Sequence, residues 1–217
     1  MFMDRKEAGE RLSEILKGFR GKKCVVYALP RGGLPVAFEV SRNLSLPLDV
    51  LIVKKIGAPY QEELALGAVT EGDPPIFYYN KDLMFRIGYS EKEIQPLARK
   101  KVEEIGRLRE YYREGEAMKI DPGSIAIIVD DGVATGATVK AAVNFFRENG
   151  YSKIVVAVPV AHETVLREIK KMADEVYCVD AVPYMSAVGE FYRDFREISH
   201  EQAREMLLDA RRMISRA

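Results

Sequence analysis

The chain has 217 residues, enough for one sizeable buried core and short for two independent α/β domains. Hydrophobic residues make up 47% and charged residues 30%, which excludes a disordered chain, and the 33 basic and 33 acidic residues cancel, which removes the broad positive field that nucleic acid binding needs. No apolar stretch reaches the length of a membrane span, and the charged residues Asp4, Arg5, Lys6 and Glu7 do not read as a signal peptide, so the expected setting is the cytoplasm, with neither membrane nor nucleic acid as partner.

At the N-terminus Asp4 is a good N-cap, and Leu12, Ile15, Leu16 and Phe19 recur at helical spacing until Gly18 and Gly21 interrupt them. Apolar, β-rich runs follow at 24–29, 48–53, 124–129, 154–159 and 175–179. Several are nearly continuous, as in strands covered on both faces, and Cys24 and Cys178 fall inside two of them, where an inert buried thiol is the ordinary identity. Between the runs lie helical stretches such as 138–149, with Val139, Ala142, Val143 and Phe146 on one face and Gly150 as the stop. The alternation predicts an α/β fold, a parallel sheet flanked by helices, with ligands beyond the carboxyl ends of the strands. Residues 72–120 interrupt the rhythm and read as a helical insertion. They contain a proline turn, a short run at 76–79, and a Ser90-x-x-Glu93 capping box opening a long helix. The mixed charge of that helix places it in solvent or against another subunit. His162 and His200 lack the spacing of metal ligands and belong near helix starts, which predicts surface positions.

The segment that carries chemistry runs from the apolar residues Ile125, Ala126, Ile127, Ile128 and Val129 straight into Asp130-Asp131-Gly132-Val133-Ala134-Thr135-Gly136-Ala137-Thr138, and a helix follows at once. The stretch 135–138 would bring free backbone N–H groups, the positive end of a helix and two hydroxyls together, with Gly136 allowing close approach; that is a phosphate monoester site. Two carboxylates just upstream would repel a phosphate they faced, so they are placed to accept hydrogen bonds from a neighbouring polyol. A ribose 5-phosphate meets both demands. An isolated acidic pair ordinarily caps a turn; here the adjoining phosphate turn outweighs that reading. No Gly-Lys-Ser/Thr occurs, which excludes a P-loop kinase, and Gly32-Gly33 lack the third glycine of a dinucleotide fold.

Residues 129–138 resemble the signature of type I phosphoribosyltransferases that binds 5-phosphoribosyl-1-pyrophosphate (PRPP): an apolar strand, two acids, and Thr-Gly-x-Thr. The resemblance implies one domain over 1–217 with a C-terminal hood and helix at 180–217, and a homodimer. It implies that Asp130 and Asp131 hold the ribose hydroxyls and act in catalysis, while Gly132, Ala134, Thr135, Gly136, Ala137 and Thr138 surround the ribose and 5-phosphate. The turn Leu29-Pro30-Arg31-Gly32-Gly33 is similar to the family's pyrophosphate loop, and Arg31 adds a phosphate-matching fork. The stretch 54–67 resembles the mobile loop that closes over PRPP, which gives Lys54 and Lys55 to the pyrophosphate and Lys55 a catalytic part. Residues 188–195 resemble an aromatic-Arg-Asp stretch, which puts Arg193 on the pyrophosphate; Tyr184, Met185, Phe191 and Tyr192 are candidates to stack on a base.

Displacing pyrophosphate calls for electrostatic help, and magnesium is the natural cofactor, with Asp130, Asp131 and, by position, Asp180 as its candidate ligands. In purine-type members an aspartate that can serve as base precedes the Thr-Gly; here Ala134 stands there. The nucleophile then arrives as an anion, or Glu190 assists, or PRPP is bound without turnover. The expected function is transfer of the phosphoribosyl group of PRPP to a nucleobase or related nitrogen heterocycle with release of pyrophosphate. A PRPP-binding regulator and a PRPP- or nucleotide-cleaving hydrolase are the alternatives; the regulator lacks a basic recognition helix.

Overall fold

The structure of the protein, a computed structural model, describes residues 1–114 and 118–214; the parts of the expected insertion at 115–117 and of the C-terminal segment at 215–217 lie outside the described residues. Asp4 caps α1 (Arg5–Ile15), its carboxylate accepting from the Glu7 N–H at 2.8 Å. Ala8, Leu12 and Leu16 form the buried stripe, whereas Ile15 is 43% exposed because it falls off that i, i+4 row.

The β-branched runs form β1 (Cys24–Ala28), β2 (Leu48–Val50), β6 (Ile125–Val129), β7 (Lys153–His162) and β8 (Glu175–Val182). They make one parallel sheet in the order β2-β1-β6-β7-β8. Alternate side chains serve two cores. Val26, Ala28, Ile127 and Val129 face α1, α2 (Gly33–Leu44) and α7 (His200–Ile214); Tyr27, Ala126, Ile128 and Val156 face α5 (Ala137–Glu148) and α6 (Glu163–Ile169). The strand order reverses between β1 and β6, so their carboxyl ends open a crevice flanked by the turns at 29–32 and 130–136.

A second layer corrects the sequence reading. The run 48–53 is not one strand: β2 ends at Val50, and Val53 begins β3 (Val53–Ala58) of a separate antiparallel sheet with β4 (Gln61–Thr70) and β5 (Phe77–Tyr79). The antiparallel layer therefore begins at 53, ahead of the expected insertion at 72–120, and the stretch read as a loop is a hairpin. Its pattern is obscured by Lys54-Lys55, by Gly57, and by register shifts on both sides of Gly57. A short helix, α3 (Lys81–Ile87), leads to α4 (Glu91–Arg113), which opens on the expected capping box. This long helix is not wholly solvated: Ile94, Ala98, Ile105 and Tyr112 are buried, and the helix packs on β3 and β4.

Two sets of contacts fasten the layers. The buried Glu71 carboxylate accepts from the Ile52 N–H at 2.8 Å and from Arg113 Nη1 and Nη2 at 2.6 and 2.7 Å, while Arg113 Nη2 also donates to the Val50 carbonyl. At the other end, Phe2 donates to the Phe191 carbonyl at 2.8 Å, and the Arg193 and Asp194 N–H groups donate to Phe2 and Met3 at 2.9 and 2.8 Å. Phe2, Ala8, Val160 and Tyr192 form a third small core with Val188 and Phe195 against it.

Both cysteines are free, Cys24 buried and Cys178 half-buried, and burial pushes their thiols up, that of Cys178 to about 11. His162 caps α6, its Nδ1 accepting from the Thr164 N–H. His200 is not a simple surface residue: its Nδ1 lies 2.8 Å from the Tyr112 hydroxyl, and burial holds it below the ordinary histidine range. Among the described residues no helix is long and apolar enough to cross a membrane.

Arg113→Ala strands a buried carboxylate and is expected to destabilise the fold by about 3–5 kcal/mol in urea unfolding, with the Arg113→Ala/Glu71→Gln double variant losing less than the single one.

Candidate functional site

A cavity of about 430 Å³ opens at the carboxyl ends of β1 and β6. Its floor is the turn after β6, one wall is Pro30 and Gly32 of the turn after β1, another is Val53 and Lys55 of β3, and Ser186, Ala187 and Val188 close it from the segment after β8.

The N-terminus of α5 borders this space through Gly136 and Thr138. Gly136 is the N-cap, no side chain caps the helix, and its first turn holds no acid, so the positive end is open to an anion. Gly136 is required twice over: its φ is +76°, and a Cβ there would lie 2.6 Å from Val165 Cγ1. Thr135 and Thr138 both line the cavity. Ala137 does not; its side chain is buried in the core under α5.

Beside the helix end sit the two carboxylates. Asp130 Oδ1 accepts from the Asp131 N–H at 2.9 Å, and Asp131 Oδ2 accepts from Arg5 Nε at 2.9 Å. The Tyr192 hydroxyl donates to the Asp131 carbonyl at 2.6 Å. Burial, then the neighbouring Asp131 charge, pushes the Asp130 carboxyl well above the usual carboxylate range, against the opposing pull of Lys55 and Arg5. Asp131 is also raised by burial, but Arg5 opposes the rise by charge and hydrogen bond.

Of the residues singled out in the sequence, the structure gathers Asp130, Asp131, Gly132, Ala134, Thr135, Gly136, Thr138, Gly32 and Lys55 around one cavity. The two lysines part because strand side chains alternate: Lys55 shares the cavity face with Val53, while Lys54 turns to α4 and pairs with Glu104 at 3.7 Å. Gly33 lies beneath, where a Cβ would stand 2.8 Å from the Val129 carbonyl. The Pro30–Arg31 peptide bond is cis. Arg31 points into an adjoining hollow of about 450 Å³, beyond Gly32 and Asp131, where it pairs with Glu197.

Other expected participants stand elsewhere. Arg193 is exposed and held through its backbone by Phe2, since the pairing with the N-terminal residues turns its side chain outward. Asp180 lies 3.6 Å from Arg11 on the outer flank of β8 rather than at the cavity. Tyr184 is exposed, Met185 and Phe191 pack in the Phe2 core, Tyr192 is buried, and Glu190 accepts from the Ser186 N–H. Arg5, Ser186 and Ala187 escaped the sequence reading, and Val188 entered it only as the first residue of the 188–195 stretch. Arg5 and Asp131 are 126 positions apart, and no local pattern links them.

The phosphoribosyl transferase domain family matches residues 5–195, and the chain belongs to that family. A protein of Mycobacterium tuberculosis named "Putative phosphoribosyl transferase", found in two strains, is 40% identical over 217 residues, covering 100% of this chain and 48% of its own length. The chain thus spans about half the length of the curated relatives it matches. Among solved structures, a protein of Thermus thermophilus designated TT1426 is similar with a TM-score of 0.79 and 36% identity, over 96% of this chain and 98% of that one.

Gly32 has ordinary helical angles, φ −61° and ψ −36°, so alanine carries no backbone penalty there, yet its Cβ would lie 2.1 Å from Asp131 Oδ2. Gly32→Ala is therefore expected to leave the secondary structure unchanged by circular dichroism and to weaken ligand binding at the cavity by displacing Asp131. Asp130→Asn is expected to raise the melting temperature of the ligand-free protein in chelator at pH 8. A raised folded-state pKa means that folding loses stability as pH climbs from the ordinary aspartate range through the raised value, so the gain from Asn should shrink as pH falls toward that ordinary range. A melting temperature lowered at pH 8 would contradict this.

Proposed function

We propose that the chain transfers the phosphoribosyl group of PRPP to a nucleobase or related nitrogen heterocycle and releases pyrophosphate. The observation that carries the reading is the juxtaposition of the uncapped α5 N-terminus with the Asp130–Asp131 pair on one cavity wall. An anionic group belongs at the helix end and hydroxyls at the carboxylates, and a ribose 5-phosphate presents both in the right order along its length.

In this reading the 5-phosphate binds the backbone N–H groups and hydroxyls at 135–138. Asp130 and Asp131 accept from the ribose hydroxyls, which fixes the ring and spreads negative charge toward the cationic sugar centre. The pyrophosphate lies against the backbone of Pro30 and Gly32 with Lys55 opposite. The C1–O bond breaks with its electron pair leaving on pyrophosphate, and the acceptor nitrogen forms the new bond to C1. The segment 186–188 covers the acceptor and excludes water.

Magnesium fits the donor set. Asp130 and Asp131 form a buried like-charge pair that a cation would relieve, and among the described residues no group of three or more His, Cys, Asp or Glu forms a complete protein cage. That suits an ion which keeps waters and substrate phosphate oxygens and takes one or two carboxylates. When bound, it would supply positive charge to the departing pyrophosphate.

Ala134 lines the cavity where purine-type members carry an aspartate, and Glu190 is exposed and engaged with Ser186. The acceptor is therefore expected to arrive deprotonated. The same alanine is the one observation favouring a PRPP-binding protein without turnover. Incubation with PRPP, magnesium and a panel of heterocycles is expected to release pyrophosphate with a nucleotide product, and Asp131→Asn to lower kcat/KM about a hundredfold or more. Binding without pyrophosphate would select the regulator, free ribose 5-phosphate the hydrolase, and full turnover after replacing either aspartate would sink the assignment of the pair.

A further inference from the structure

We propose that Arg5 is a positioning residue for Asp131, which fixes the carboxylate that meets the sugar and links it to the segment closing the cavity. The proposal rests on the PRPP reading above and adds to it a residue from the far end of the chain.

The guanidinium is engaged on three sides at once. Its Nε edge donates to Asp131 Oδ2 at 2.9 Å, its Nη1 donates to the Arg196 carbonyl at 2.9 Å, and its plane lies over the Phe195 ring, 3.8 Å from the centroid. Donors fixed in one plane, with a ring on one face, leave the group a single orientation. A lysine could meet one of these partners with a point charge but could not reproduce the set. The pair is largely shielded, with side-chain exposures of 9% for Arg5 and 13% for Asp131, so water competes little for either partner.

Asp131 is held from other directions as well. The Tyr192 hydroxyl fixes its carbonyl, and Gly32 presents bare backbone to its Oδ2, where any Cβ would stand 2.1 Å away. Arg5 itself borders the adjoining hollow and is not among the groups lining the main cavity. A sugar in the main cavity would thus touch Asp131 and not Arg5, which makes Arg5 act through its neighbour. A purely structural arginine could pair with any acid. This one pairs with the carboxylate at the cavity wall, and its ring partner Phe195 packs against the same small core as Val188 of the segment that covers that cavity.

The experiment compares ribose 5-phosphate with 2,3-dideoxyribose 5-phosphate by calorimetry on the full chain, as wild type, Arg5→Gln and Arg5→Lys, each checked for folding by circular dichroism. Wild type is expected to prefer the hydroxylated sugar. Arg5→Gln should lower that preference about tenfold while leaving the dideoxy ligand within about twofold of wild type, and Arg5→Lys should recover part of it. Equal loss on both ligands means a general structural role and overturns the proposal, as does an unchanged preference. If Arg5→Gln does not fold, Arg5→Lys carries the test: a reduced preference supports the proposal, and one equal to wild type overturns it. A wild type that does not distinguish the two sugars removes the PRPP reading itself, an outcome distinct from a failure confined to the variants.

Discussion

Two carboxylates adjacent in sequence cannot both hold full charge in a shielded pocket without help, and the site is arranged around that constraint. Asp130 carries most of the penalty and holds its proton far more tightly than a free aspartate, while Asp131 is restrained by Arg5. Lys55 contributes positive charge from the opposite wall. The arrangement is unfavourable by itself, a local sacrifice of stability that the proposed binding of hydroxyl donors and a cation would offset.

The fold supplies the place where this is tolerable. Reversal of strand order between β1 and β6 leaves their two turns side by side, and the antiparallel layer brings β3 over the opening. That layer is attached through Glu71 and Arg113, which bind the crossover at Val50 and Ile52 from two sides. Lys55 is therefore delivered by a paired strand fixed to the body of the protein, and its direction is set by the strand's alternation.

The turn at 130–138 was legible in the sequence because every part of it is contiguous: an apolar strand, two acids, a glycine turn and a helix need no distant partner to be recognised. The parallel sheet was legible for the same reason, run by run. What could not be read depends on pairing across the chain. Lys54 and Lys55 differ only in which side of β3 they occupy, and β3 itself is hidden by glycine and bulges until β4 is laid beside it. Arg5 looked like one more charge on an N-terminal helix. Arg193 and Asp180 had plausible types in plausible places, but the pairing of Phe2 with the 191–193 stretch and the proximity of Arg11 direct them elsewhere. Type and spacing identify a local site; the groups that steady it arrive through tertiary contacts.

The ribbon formed by Phe2 and the residues around Tyr192 has a practical bearing on handling the protein. Phe2 is fully buried, its ring lies 5.4 Å from that of Tyr192, and the Tyr192 hydroxyl holds the backbone of Asp131. Polypeptide joined ahead of Met1 emerges two residues from this contact, so an affinity tag or fused partner there would pull on the cavity wall at Asp131 through one aromatic pair.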